Sequence, residues 1–166
     1  MKNNKAILGI LFILLLVATG VLFVINESTI ALIPIDNNCT KIIEENNTFI
    51  VNMSAMNIIE RSCEYFGSSY LGRYIGTKSI AGITHKSPII IEESKNIIYF
   101  PTTSPRLKEC TWLALKHIKK YESKDGRSLV FLENGQVLDI DISYFSFDNQ
   151  YLRATKLDSI LNKRKN

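Results

Sequence analysis

Of the chain's three cysteines and two histidines, Cys63, His85, Cys110 and His117 invite a reading as metal ligands or a nucleophile pair. Zinc ligands normally come in close pairs such as C-x2-C or H-x3-H. The one short spacing here is Cys110 to His117. Cys63 falls on the apolar stripe of an expected helix, where a small buried thiol is ordinary. A Cys63–His85 nucleophile pair would lack an orienting third group and an oxyanion signature. Asp139 and Asp141 share one strand face, but alternating acids on an outward face are ordinarily just solvated. No Gly-rich turn carries the Lys-Ser/Thr of a phosphate-binding loop. These residues point to no catalysis, no metal and no cofactor.

Binding chemistry is better represented. From Arg61 to Pro88 the chain reads RSCEYFGSSYLGRYIGTKSIAGITHKSP, with Gly67, Gly72, Gly76 and Gly82 among tyrosines and cations. Glycine lets backbone approach a partner closely, and Tyr, Arg and Lys meet flat or anionic partners. Arg73, Lys78 and Lys86 are the candidate contacts of this segment. A second basic cluster holds Lys116, His117, Lys119 and Lys120, with Lys124 and Arg127 at the adjoining turn. Alternation along one strand puts Lys116 and Lys120 on one face and His117 and Lys119 on the other. That cluster reads either as a solvated edge whose lysines block aggregation or as phosphate contacts made without sequence preference.

Overall charge does not choose between those readings. The formal balance is +4 over 166 residues and falls to +2 without Lys2 and Lys5. Any affinity for a polyanion must therefore come from a local surface. The odd, scattered cysteines form no disulfide framework and point to a reducing compartment.

The elements that must position these residues are legible in part. Ser28–Ile35 and Thr48–Val51 read as strands, and a helix runs from about Ser54 to Tyr65, stopped by Gly67. A second helix lies within Ser68–Ser79, weakened by Gly72 and Gly76. Pro88–Ile91 and Ile97–Phe100 form a strand pair across a polar turn, and Pro101–Pro105 is a loop. Thr111–Tyr121 is expected as one strand. Asp125-Gly126 and Asn134-Gly135 then turn it into a three-stranded meander with Ser128–Leu132 and Val137–Ile142. From Ser146 onward, Phe147, Tyr151, Ala154, Leu157 and Leu161 line one helical face. The expected fold is α+β: an antiparallel sheet with a C-terminal three-stranded meander and flanking helices, preceded by one N-terminal apolar helix.

That apolar helix comes from Ala6–Ile25, which is 20 residues without a charge, or about 30 Å as a helix, the thickness of a bilayer core. The expectation is a hydrophobic, membrane-spanning segment over residues 1–25 and a domain over 26–166. A cleaved signal peptide is the weaker alternative, since the apolar run continues past the small residues Ala18-Thr19-Gly20. Lys2 and Lys5 before the run would leave the N-terminus inside and the rest of the chain outside.

Blocks of the sequence resemble a known family. RSCEYFGSSYLGRYIGT, THKSPIII, FPTTSP, CTWLALKHI and ISYFSFDNQYLRA occur in the order and spacing of the ComK competence transcription factors of Gram-positive bacteria. STIALIP and NNTFIVNM fit that family's earlier blocks, and the similarity spans roughly Phe23 to Thr155. The resemblance implies a DNA-binding regulator of DNA-uptake genes, acting as a homo-oligomer on double-stranded AT-rich DNA through the minor groove. Such readout needs few side chains: Arg or Lys in a narrow, negative groove, plus DNA deformability. It would give Arg73, Lys78, Lys86, Lys116, Lys119, Lys120 and Arg127 a DNA-binding role. Arg61 and Cys63 read as structural. Known family members lack the apolar run and commonly continue past the last helix, so the resemblance does not cover those ends.

DNA binding conflicts with an exported domain. The reading that reconciles them is a domain on the cytoplasmic face, tethered through residues 6–25 or beginning nearer Ile25. The alternative function is a membrane-anchored interaction module on the same fold without DNA binding.

Overall fold

The computed structural model describes residues 23–165. Six strands form one antiparallel sheet in the order β3-β2-β1-β6-β5-β4: β1 (Thr29–Pro34), β2 (Thr40–Glu44), β3 (Thr48–Val51), β4 (Ile89–Glu92), β5 (Ile97–Pro101) and β6 (Trp112–Ala114). A separate three-stranded meander follows, β7 (Ile118–Lys124), β8 (Arg127–Leu132) and β9 (Val137–Ile140). Three helices complete the α+β fold: α1 (Ala55–Tyr65), α2 (Tyr70–Ala81) and α3 (Tyr144–Lys165).

Both faces of the large sheet are covered, which explains why its central strands are apolar throughout. Ile90, Ile98, Phe100 and Leu113 pack against the meander and α3. Their neighbours Ile89, Ile91, Ile97, Tyr99 and Trp112 point the other way, toward α1. Phe147 of α3 meets Phe100 edge-on at 5.8 Å and Tyr121 at 4.8 Å between ring centroids. The meander alternates as its turns demand: Leu138 and Ile140 are buried, while Val137, Asp139 and Asp141 are exposed.

The expected single strand over Thr111–Tyr121 is two strands in different sheets. A 3-10 turn, Leu115–His117, separates β6 from β7, and the pairing of β7 with β8 slips between Ile118 and Lys120. Each irregularity resets the alternation, so the facing assigned to the lysines does not hold. His117 is buried with its Nε2 2.9 Å from the Glu27 carbonyl oxygen. Lys116, Lys119 and Lys120 are all exposed. Strand β2 is also new, because Thr40, Lys41 and Glu44 bracket a core contribution of only Ile42 and Ile43.

Residues 1–22 of the expected apolar helix lie outside the described residues. Phe23, Val24 and Ile25, the end of that run, are not helical. Phe23 and Ile25 are buried in the α1-side core, so the packed domain begins before residue 26. Among the described residues, no helix is long and apolar enough to cross a membrane.

The cysteines are free, Cys63 and Cys110 buried and Cys39 half-exposed. Burial pushes the Cys63 thiol up to about 11 and also raises Cys110. Desolvation and the nearby Asp36 raise Cys39 as well. Alkylation of the native protein is therefore expected to modify Cys39 alone, slowly at neutral pH and faster as pH rises and thiolate accumulates. Peptide mass spectrometry checks this: modification of Cys63 or Cys110 without denaturant would contradict their burial.

Candidate nucleic-acid interface

Segment 66–88 folds into one wall of a cleft. Gly67, at φ +75°, turns the chain out of α1. The Ser69 hydroxyl accepts the Gly72 amide at 3.0 Å and starts α2. Gly82, at φ +70°, ends α2 in the left-handed conformation that glycine adopts without cost. The loop that follows is held from several sides. Tyr74 Oη donates to the Thr84 carbonyl at 2.9 Å, Arg153 Nη1 to the His85 carbonyl at 2.8 Å and Gln150 Nε2 to the Lys86 carbonyl at 3.1 Å. Its backbone is thus fastened to α2 and α3 at Thr84, His85 and Lys86, whose side chains are exposed. Lys86 itself has φ +45°, a conformation non-glycine residues seldom adopt unless their surroundings hold it.

The opposite wall is the loop between β5 and β6. Thr102 N–H and Oγ1 donate to the Thr111 carbonyl at 2.9 and 3.1 Å and close its base. The loop carries Arg106, Leu107 and Lys108, all exposed. Between the walls lies a cleft of about 1040 Å³, lined by Tyr70, Tyr74, Trp112 and these basic residues. No carboxylate among the described residues lines it. Among the described residues, Lys86, Arg106 and Lys108 make no ion pair. Ser87, also in the lining, is 1% exposed, and its hydroxyl has no hydrogen-bond partner among the described residues. A buried hydroxyl left unpaired is a cost that a bound polar group or water would relieve. Positive charge without carboxylates suits a polyanion, while Trp112 is buried behind Tyr70 and closes the cleft floor.

Of the residues singled out from sequence, the structure brings Lys86 to this cleft and leaves Lys78 exposed on α2. Arg73 is half-buried, donating from Nη2 to the Ile91 carbonyl at 3.3 Å, so it ties α2 to β4. Arg127 is clamped by Asp139 and Asp141, each at 2.6 Å. Lys120 lies 4.2 Å over the Phe131 ring and 3.4 Å from Glu122. Lys116, Lys119 and Lys120 do not line the cleft. Arg106 and Lys108 were not singled out; the signal for them was two cations around a leucine just after a proline-bearing loop.

The two glycines within α2 differ in kind. A Cβ at Gly72 would come within 3.2 Å of the Ser68 and Ser69 hydroxyls, beside the helix cap. A Cβ at Gly76 would meet nothing within 4 Å. Gly76 also sits about 140° around the helix from Leu71, away from the cleft. Gly76→Ala is thus expected to stabilise the fold by about 0.5–1 kcal/mol in urea melts, with DNA affinity unchanged within about twofold, below ~0.4 kcal/mol. A large loss of affinity would place the interface on the glycine face of α2 instead.

Among the described residues, no group of His, Cys, Asp or Glu is arranged to hold a metal. The profile of the family described as ComK protein matches residues 21–166, beginning two positions before buried Phe23. A curated protein, the "Competence transcription factor" of Bacillus subtilis (strain 168), is 41% identical over 137 residues, covering 80% of this chain and 71% of that protein. No solved structure matches the chain.

Proposed function

The chain belongs to the ComK family, and on that premise we propose that it is a DNA-binding regulator of competence-gene transcription. The observation that carries the DNA reading is the cleft whose lining holds Lys86, Arg106 and Lys108 and no carboxylate. With a whole-chain balance of only +4, phosphate affinity has to be concentrated locally, and the cleft gathers three cations without an ion pair among the described residues.

The target is double-stranded AT-rich DNA, met from the minor groove by the protein as a homo-oligomer. Minor-groove recognition of A·T tracts asks for a few Arg or Lys side chains at a narrow, strongly negative groove. It does not need a helix laid in the major groove. That suits this fold, whose exposed cations near the cleft come from loops rather than from one recognition helix. Rigid presentation matters because a loop ordered only on binding would spend affinity on its own entropy. The bonds to the His85 and Lys86 carbonyls remove that penalty beforehand.

The test is a mobility shift with the full chain on AT-rich and GC-rich duplexes of equal length at stated salt. Tighter binding to the AT-rich duplex is expected, with affinity falling steeply as salt rises. Equal affinity for both duplexes would defeat the minor-groove reading, and no binding to either would defeat DNA binding.

A further inference from the structure

We infer that the tip Arg106–Leu107–Lys108 is the part of the domain that enters the DNA groove, with Leu107 set as an apolar wedge against a base step. The inference rests on the DNA reading above and names the residue that would touch bases.

Leu107 is 47% exposed at the end of a polar loop, between two exposed cations. Its solvent-facing half gains nothing from the fold. Burial against a partner would recover that area, and minor-groove proteins use apolar side chains in this way, wedging them between base steps. The flanking Arg106 and Lys108 are placed to meet the phosphates or the groove on either side.

The tip is held in shape. Pro105 occupies the second position of a turn in which the Leu107 amide donates to the Ser104 carbonyl at 2.9 Å. The Leu107 carbonyl then accepts the Cys110 amide at 3.1 Å, so two consecutive turns share Leu107. Proline at that position presets the backbone angle that the turn needs. A wedge must resist being pushed aside, and a loop fixed at its base and through its tip can do so. The adjoining Glu109 is exposed and unpaired among the described residues. Its charge opposes phosphate, so Glu109→Gln is expected to tighten binding modestly.

The cleft volume of about 1040 Å³ cannot enclose a duplex. DNA would instead lie across its mouth, where Leu71, 62% exposed on α2, offers a second apolar contact. A minor groove about 6 Å wide admits a side chain but not a helix. This is why the occupant proposed for the rim is duplex DNA reached by the tip.

The experiment uses the full chain and AT-rich duplexes carrying 2-aminopurine, moved one position at a time through the bound site. Wild-type protein is expected to raise fluorescence sharply at one step as that base loses its stacking. Leu107→Ala should bind about tenfold more weakly and, at saturation, give no rise. Leu107→Phe, which keeps a wedge, should restore both. Circular dichroism of each variant confirms folding. If wild-type protein fails to bind, the DNA reading itself falls. If it binds but 2-aminopurine stays stacked at every position, or the saturated Leu107→Ala complex matches wild type, the wedge alone is overturned.

Discussion

Replacing Lys86, Arg106 and Lys108 together by alanine is expected to weaken binding to an AT-rich duplex about a hundredfold or more near 0.1 M salt. A hydrogen bond to a charged group is worth about 1.5–3 kcal/mol, and screening at exposed positions takes part of that away. The slope of log affinity against log salt should also become shallower by about 2.7, because three phosphate contacts release that many fewer counterions. Circular dichroism and the urea midpoint should hardly move. None of the three side chains makes an ion pair within the described domain. It is the Lys86 carbonyl, not its ammonium, that binds Gln150. The comparison variant is Lys119→Ala/Lys120→Ala on β7. Lys120 is already engaged with Glu122 and Phe131, so a smaller loss is expected there. A greater loss from the β7 pair would move the interface to the edge of the meander.

Arg127 shows why a charged cluster in sequence is a poor guide to an interface in space. In sequence it extends a basic run. In the folded chain Asp139 of β9 and Asp141 just beyond it pair with its guanidinium, joining β8 to β9 at the surface. The acids that form the clamp were legible as outward-facing, but their partner was not, because register across a hairpin fixes the pair and alternation along one strand does not. Arg73 is a parallel case. Its guanidinium is taken by a β4 carbonyl, and only the packing of α2 on that strand reveals it. The elements themselves were easier to read. The meander followed from Asp125-Gly126 and Asn134-Gly135, both glycines at positive φ, and α3 from the spacing of Phe147, Ala154, Leu157 and Leu161. What sequence could not show was the 3-10 turn at Leu115–His117, which shares its composition with the strands on either side. The cleft escaped for a similar reason: its walls, Thr84–Ser87 and Ser104–Lys108, are distant in sequence and irregular in structure. Of the site, Lys86 and the tyrosines of segment 61–88 were in view, and the facing loop was not.

Ile25→Ala is expected to cost about 2–4 kcal/mol of folding stability, or a fall of roughly 10 °C in Tm, although Ile25 belongs to a run that reads as a membrane span. Its side chain is 1% exposed, packed with Ile58, Ile59 and Cys63 on the α1 side of the sheet. Its amide donates to Ser62 Oγ at 3.0 Å, and that hydroxyl donates in turn to the Ile58 carbonyl at 2.6 Å. Phe23, 5.6 Å edge-on from Phe49, extends the same contact to β3. Val24, on the alternate side and half-exposed, should lose under about 0.5 kcal/mol on truncation to alanine. Phe23 and Ile25 are therefore core residues of the domain, although a hydropathy reading counts them as part of an apolar helix. A fragment beginning at Asn26 lacks two core side chains, so weak DNA binding by such a fragment would report instability as much as a missing contact. Urea melts of the Ile25→Ala and Val24→Ala full chains decide the matter, and a loss at Ile25 as small as that at Val24 would remove residues 23–25 from the folding unit.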